Sequence, residues 1–238
     1  NGYKYLKSLG IGYHFYTGRY LDALPQVLDT SKKTIIHIPN VNSVESTKDK
    51  YSEVDHILDA IGDVIEKDMR TGIITVKDKS GRLLKVADLV DDNPLRIEVQ
   101  NYLRNITKAD DMDIIIALGM AKEGFDWPWC EHVLTIGYRS SLTEIVQIIG
   151  RATRDCEGKP HAQFTNLIAQ PDAEDDDVRV SVNNMLKAIT VSLLMEQVLA
   201  PSVNFKPRSR LLPGETVAPG TVIIEDMTSP VSDKVIKA

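Results

Sequence analysis

Apolar positions along the chain follow two different periods. Four short runs are apolar with almost no interruption: residues 33–38 (KTIIHI), 113–118 (DIIIAL), 132–136 (HVLTI) and 162–168 (AQFTNLI). Runs of this length, rich in β-branched residues and closed by breakers such as Pro39 and Asn40, predict strands buried on both faces. Between them the apolar residues recur at helical spacing. Val54, Ile57, Leu58 and Ile61 predict a helix over 51–65. Pro94 opens another through Thr107, with Leu95, Val99, Tyr102, Leu103 and Ile106 on one side. Ser141 or Thr143 caps a third, on which Ile145, Ile148, Ile149 and Ala152 recur at i, i+3, i+4 and i+7. Residues 71–90 read instead as strand, turn and strand, with Asp78, Lys79, Ser80 and Gly81 at the turn, a hairpin-like elaboration. Strands alternating with helices predict an α/β domain of three layers, a mostly parallel sheet with helices on both faces. Such sheets bind ligands at the carboxyl ends of their strands.

Composition narrows the class. The 238 residues are 42% hydrophobic and 26% charged, enough for a sizeable core in one or at most two domains. A formal charge of −6 excludes coating of nucleic acid by bulk charge and leaves room for a local basic groove. Cys130 and Cys156 have neither metal spacing nor a disulfide framework, which fits a reducing cytoplasm. No run of 18 apolar residues and no signal peptide is present, so no membrane partner is expected. Beginning at Asn1, the sequence reads as part of something longer. Four segments are expected. Residues 1–30 form a lead-in holding five of the eight tyrosines, packed against the domain. Residues 31–170 are the α/β domain. Residues 171–200 contain a C-terminal helix (about 175–199). Residues 201–238 form a linker or extended arm with five prolines, the basic trio Lys206, Arg208 and Arg210, and a short hairpin at 221–225.

Two stretches carry candidate chemistry. On the helix after HVLTI, Gln147, Arg151 and Arg154 recur at i, i+4 and i+7 and share the face opposite the apolar stripe. Gly150 sits between the arginines, where helices normally avoid glycine, and lets a partner approach the backbone. Two guanidiniums and a carboxamide on one face suit a polyphosphate. A solvated polar face is the plain alternative. The second stretch, 119–128 (GMAKEGFDWP), leaves the end of the DIIIAL strand. Gly119 and Gly124 permit tight backbone geometry. Glu123 and Asp126 place two carboxylates where one can meet a ribose hydroxyl or a cation held by another domain. The plain alternative is that Gly124 serves a turn and Asp126 caps it. Trp127 and Trp129 read as packing anchors.

Together the two stretches resemble a known family. GFDWP after a buried strand, then QIIGRATR on a helix about twenty residues later, is similar to motifs V and VI of superfamily two helicases and translocases. KTIIHIPN resembles their motif IV, more weakly. The order matches the second, C-terminal RecA-like domain, and the flavour is that of restriction-enzyme-type and DEAD/DEAH-type DNA motors. The resemblance implies a RecA-like fold and an interdomain ATP site. It makes Arg154 the arginine finger, Arg151 a second phosphate-facing cation and Gln147 a sensor of the γ-phosphate or the attacking water. Gly124, Asp126, Glu123 and Gly150 become nucleotide contacts, and Asn40, Ser43 and Gly119 contacts to nucleic acid, DNA before RNA. One position departs from the pattern. Many members carry Thr or Ser six residues before the motif V glycine, where it bonds a backbone phosphate, and this chain has Leu118.

Omissions matter as much. No GxxxxGK followed by Ser or Thr occurs in the 238 residues, and no DEAD or DExH motif. The resemblance therefore implies half of a motor, with ATP and Mg2+ held mainly by an N-terminal RecA-like domain that is its partner. The runner-up is a catalytically silent RecA-like module that only binds nucleic acid or a protein. A small-molecule α/β enzyme is disfavoured, because no nucleophile–base pair and no dinucleotide fingerprint follows a strand.

Overall fold

Each of the four apolar runs becomes a strand of one sheet. The computed structural model describes residues 3–39, 49–90, 94–118, 126–137, 142–169, 204–207 and 221–224. Eight strands, β1 (Ser8–Tyr16), β2 (Thr34–Ile38), β3 (Gly62–Lys67), β4 (Ile74–Asp78), β5 (Leu83–Asp88), β6 (Ile114–Leu118), β7 (His132–Ile136) and β8 (His161–Ala169), lie in the order β1-β8-β7-β2-β6-β5-β4-β3. From β1 to β5 in that order every neighbour is parallel. The last two pairings, β5–β4 and β4–β3, are antiparallel.

Alternation within the runs sorts side chains to two cores. Ile35, Ala87, Ile115, Ala117, Val133 and Phe164 point to one face, where they meet Val99 and Leu103 of α3 (Leu95–Arg104) and the isoleucines of α4 (Leu142–Ala152). Ile36, Ile38, Ile114, Ile116, Leu134 and Leu167 point to the other. There they meet Leu24 of α1 (Tyr20–Val27) and Val54, Ile57, Leu58 and Ile61 of α2 (Lys50–Ile61). This is the expected three-layer α/β architecture. Burial on both faces is why the central strands read as unbroken apolar runs.

Four local readings need correction. The helix expected over 51–65 stops at Ile61. Val64 and Ile65 extend its apolar period but lie in β3, 49% and 54% exposed on an edge strand. Gly62 makes the switch: a Cβ there would sit 2.0 Å from the Lys77 carbonyl oxygen, so only glycine lets the chain leave α2 straight into pairing with β4. The hairpin of β4 and β5 is no appendage, since β5 pairs with β6 inside the main sheet. The chain ahead of residue 31 supplies α1 and, as β1, a sheet edge paired along its whole length with β8. In the arm, β9 (Asn204–Pro207) and β10 (Thr221–Ile224) pair in parallel, where a hairpin makes its strands antiparallel. The helix expected over 175–199 lies outside the described residues.

At the amino edge of the sheet, charges are used up internally. Asp113 accepts from the Lys33 ammonium at 2.9 Å, the Arg82 guanidinium at 2.9 Å and the Lys85 amide at 2.8 Å.

Candidate functional site

The central strands β7, β2 and β6 are adjacent and parallel. The three stretches that carry the family resemblance therefore start from neighbouring carboxyl ends, after Ile38, Leu118 and Ile136. Asn40, Ser43, Gly119, Glu123 and Gly124 lie outside the described residues. Asp126, Gln147, Gly150, Arg151 and Arg154 lie within them.

Trp127 is the anchor of the GFDWP stretch. It is buried in the same hydrophobic core as Ile145, Ile148, Ile149 and Ala152, the apolar stripe of α4 read from the sequence. Trp129 packs at the edge of the same cluster. The Cys130 amide donates to the Trp127 carbonyl at 3.3 Å, closing a turn, and Cys130 itself is fully buried. Asp126, one residue before the anchor, is thereby brought to the carboxyl end of α4.

The helix ends earlier than its polar periodicity suggests. Gln147, Gly150 and Arg151 are on α4, but the helix closes at Ala152 and Arg154 lies beyond it. Two ties pull the chain off the helical path. The Asp155 carboxylate accepts the amides of Lys4 and Leu6 at 2.8 Å and of Tyr5 at 3.0 Å, binding the chain to the segment before β1. Burial opposes ionisation of Asp155, but the three amides outweigh it and hold its carboxyl below the usual range. Lys159, only 3% exposed, donates to the carbonyls of Pro128 at 2.6 Å, Cys130 at 3.1 Å and Ala152 at 3.1 Å. Gly158, at φ 80° as the third residue of the turn from Cys156 to Lys159, aims that lysine inward.

The outcome is a direct juxtaposition. Arg154 Nε stands 3.7 Å from Asp126 Oδ1, with the two side chains 61% and 67% exposed. A pair this exposed contributes at most about 1 kcal/mol to the fold, so both groups are free to exchange partners. Gln147 is exposed and Arg151 half-buried. A Cβ placed on Gly150 would meet nothing within 4 Å among the described residues, so the space against the backbone between Gln147 and Arg151 is open. The edge thus offers guanidiniums, a carboxamide and accessible main chain to an anion. Among the described residues no cluster of His, Cys, Asp and Glu can hold a metal ion. Sequence reasoning passed over Asp155 and Lys159, because an ion solvated by main chain from distant segments leaves no local pattern.

The chain resembles parts of known proteins. No family model matches the chain. It is 62% identical, over all of its 238 residues, to "Putative ATP-dependent helicase YeeB" of Bacillus subtilis (strain 168), and spans 40% of that protein's length. Over 122 residues, 45% of the chain, it is 26% identical to UvrABC system protein B of Caldicellulosiruptor saccharolyticus, spanning 18% of it. Among solved structures, the ATP-dependent Type ISP restriction-modification enzyme LlaBIII bound to DNA aligns with 98% of this chain and 16% of its own, at 13% identity and a TM-score of 0.45. Domain 2 of the DEAD-box helicase Mss116p bound to an RNA duplex aligns with 81% of this chain and 77% of its own, at 13% identity and a TM-score of 0.39. With 62% identity held over all 238 residues, the chain is similar to a part of that putative ATP-dependent helicase, and its mostly parallel eight-stranded sheet with helices on both faces is the α/β architecture expected from the sequence.

Proposed function

We propose that this chain is the C-terminal motor domain of an ATP-driven nucleic-acid helicase or translocase, and that its exposed edge closes on a second RecA-like domain over ATP. The observation that carries this reading is the meeting of Asp126 with Arg154 at 3.7 Å, both exposed. Two stretches 28 positions apart in sequence converge on one edge and spend little on holding the fold.

In this reading Arg154 reaches across the cleft to the phosphates as the arginine finger. Arg151 adds a second cation and Gln147 orders the attacking water or senses the terminal phosphate. Asp126, with Gly124 and Glu123, meets the ribose and links it to the track. Asn40, Ser43 and Gly119 face the backbone of the nucleic acid, DNA before RNA. Arg154 and Arg151 fit the phosphates, since planar guanidinium forks match anionic oxygens. In the same reading magnesium is held mainly by the partner domain. Repeated closing and opening then moves the domain along a phosphate backbone.

The test is Arg154→Ala in the full-length protein. A finger acts on charge that develops in the transition state, so nucleic-acid-stimulated ATP turnover should fall on the order of 10³- to 10⁵-fold while ATP binding persists. The melting temperature should stay near wild type, because the pair it breaks is exposed. Arg154→Lys should rescue poorly, since an ammonium has no planar fork. Wild-type turnover in Arg154→Ala discards the assignment.

A further inference from the structure

Between the end of α4 and the start of β8 the chain carries two ions that are solvated by main chain. Asp155 gathers three amides. Lys159 gathers three carbonyls, and since an ammonium has three N–H donors, all are in use. Two of those carbonyls, Pro128 and Cys130, belong to the turn immediately after Asp126. The third belongs to Ala152, the last residue of α4 and two residues before Arg154. It is one of the helix-end carbonyls that have no partner inside the helix, and a cation is favourable there. Among the described residues no carboxylate lies within ion-pair distance of Lys159.

A buried ammonium with no carboxylate within ion-pair distance among the described residues is a costly way to fill space. Burial also holds the Lys159 ammonium below its ordinary range, against the pull of nearby Cys130, Cys156, Asp155 and Glu131. An apolar side chain would serve packing alone but would leave three carbonyls without donors. What the ammonium does that no apolar group can is hold two separate backbone segments at fixed distances from one point. Those segments carry the two members of the exposed pair. The pair itself is too solvated to set its own geometry.

We infer that Lys159 is the positioning residue of this site: by binding the turn after Asp126 and the end of α4 to one ammonium, it fixes where the Arg154 guanidinium stands. Asp155 holds the same loop from the other side. The inference rests on the proposed role of Arg154 and adds a residue that touches neither nucleotide nor nucleic acid.

The experiment is a double-mutant cycle in the full-length protein, read as nucleic-acid-stimulated ATP turnover. Lys159→Met keeps an unbranched stem and removes the ammonium. Its kcat should fall about 10²-fold, the scale of a 1 Å misplacement of a catalytic group. The KM for ATP should stay within about threefold, as expected for loss of transition-state stabilisation alone. In the Arg154→Ala background the same change should cost almost nothing further, because its effect runs through Arg154. Where Lys159→Met fails to fold, Lys159→Arg, which keeps the charge and alters the geometry, enters the same cycle with the same expectation. A Lys159 variant with wild-type kcat, or losses that multiply with those of Arg154→Ala, overturns the positioning role. Wild-type turnover in Arg154→Ala alone overturns instead the functional reading beneath it.

Discussion

At the scale of single residues, the chain separates its two thiols by environment. Cys130 is fully buried under α4, and its thiol donates to the His132 carbonyl at 3.4 Å. Burial pushes its pKa up to about 12, with the charges of Lys159 and Arg151 pulling weakly the other way. Cys156 sits half-buried in the turn before Lys159, and burial raises its thiol as well, by less. The thiolate is the nucleophile, so accessibility and residual thiolate both favour Cys156. Iodoacetamide at pH 8 should modify one cysteine per native chain, Cys156, and two in denaturant, as read by mass spectrometry of peptides. The Cys130 carbonyl is one of the three ligands of Lys159, so slow native labelling of Cys130 also measures how often that clamp opens. Equal labelling of both thiols in the native state would contradict the burial.

At the scale of elements, the β4–β5 turn shows how one carboxylate organises a connection. Asp78 accepts from the Ser80 amide at 2.9 Å and hydroxyl at 2.7 Å, the Arg82 amide at 2.9 Å and the Thr30 hydroxyl at 2.8 Å. The Ser80 hydroxyl first, then the Thr30 hydroxyl and the amides, lower its pKa from 3.8 to about 2, although burial opposes ionisation. A carboxyl depressed on folding contributes stability that is complete above its unfolded value. That stability is lost as pH falls through the folded one. Asp78→Asn should cost about 1.5 to 3 kcal/mol at pH 7, the range for hydrogen bonds to a charged acceptor. Urea titrations from pH 5 to pH 2.5 should show wild-type stability falling more steeply than that of the variant, and parallel curves would remove Asp78 as the cause. This turn was legible in the sequence, as were the buried strands and the stripe on α4, because each signal is local and periodic. β3 was not, since Val64 and Ile65 continue the period of α2 and an exposed edge strand has no burial to mark it. β1 was hidden by Gly10 and Gly12 and by burial that only partly alternates. In the site, Arg154 and Asp126 were legible as residues, but their proximity was not. It depends on Lys159 reaching carbonyls 29 and 31 positions back along the chain.

At the scale of the whole molecule, the described ion pairs at the two ends of the strands differ in burial. The amino edge consumes its ions internally: Lys33 and Arg82 share Asp113, and Lys32 meets Glu131 at 3.1 Å. The opposite side leaves Arg154 and Asp126 in solvent. Nothing in the 238 residues supplies the GxxxxGK followed by Ser or Thr that cradles phosphates. Phosphoryl transfer depends on positioning and on charge stabilisation from both sides of the nucleotide, so guanidiniums on one side cannot sustain it alone. The purified 238-residue chain should therefore hydrolyse ATP at the rate of a buffer blank, with or without nucleic acid. The full-length protein should show turnover that depends on Arg154. The decisive control is the Arg154→Ala form of the short chain. If the short chain turns over ATP and that substitution abolishes the activity, the site is complete within these residues and the second domain is not required. If the short chain is inert while the full-length protein is active, the exposed edge is the half of the site that this chain contributes.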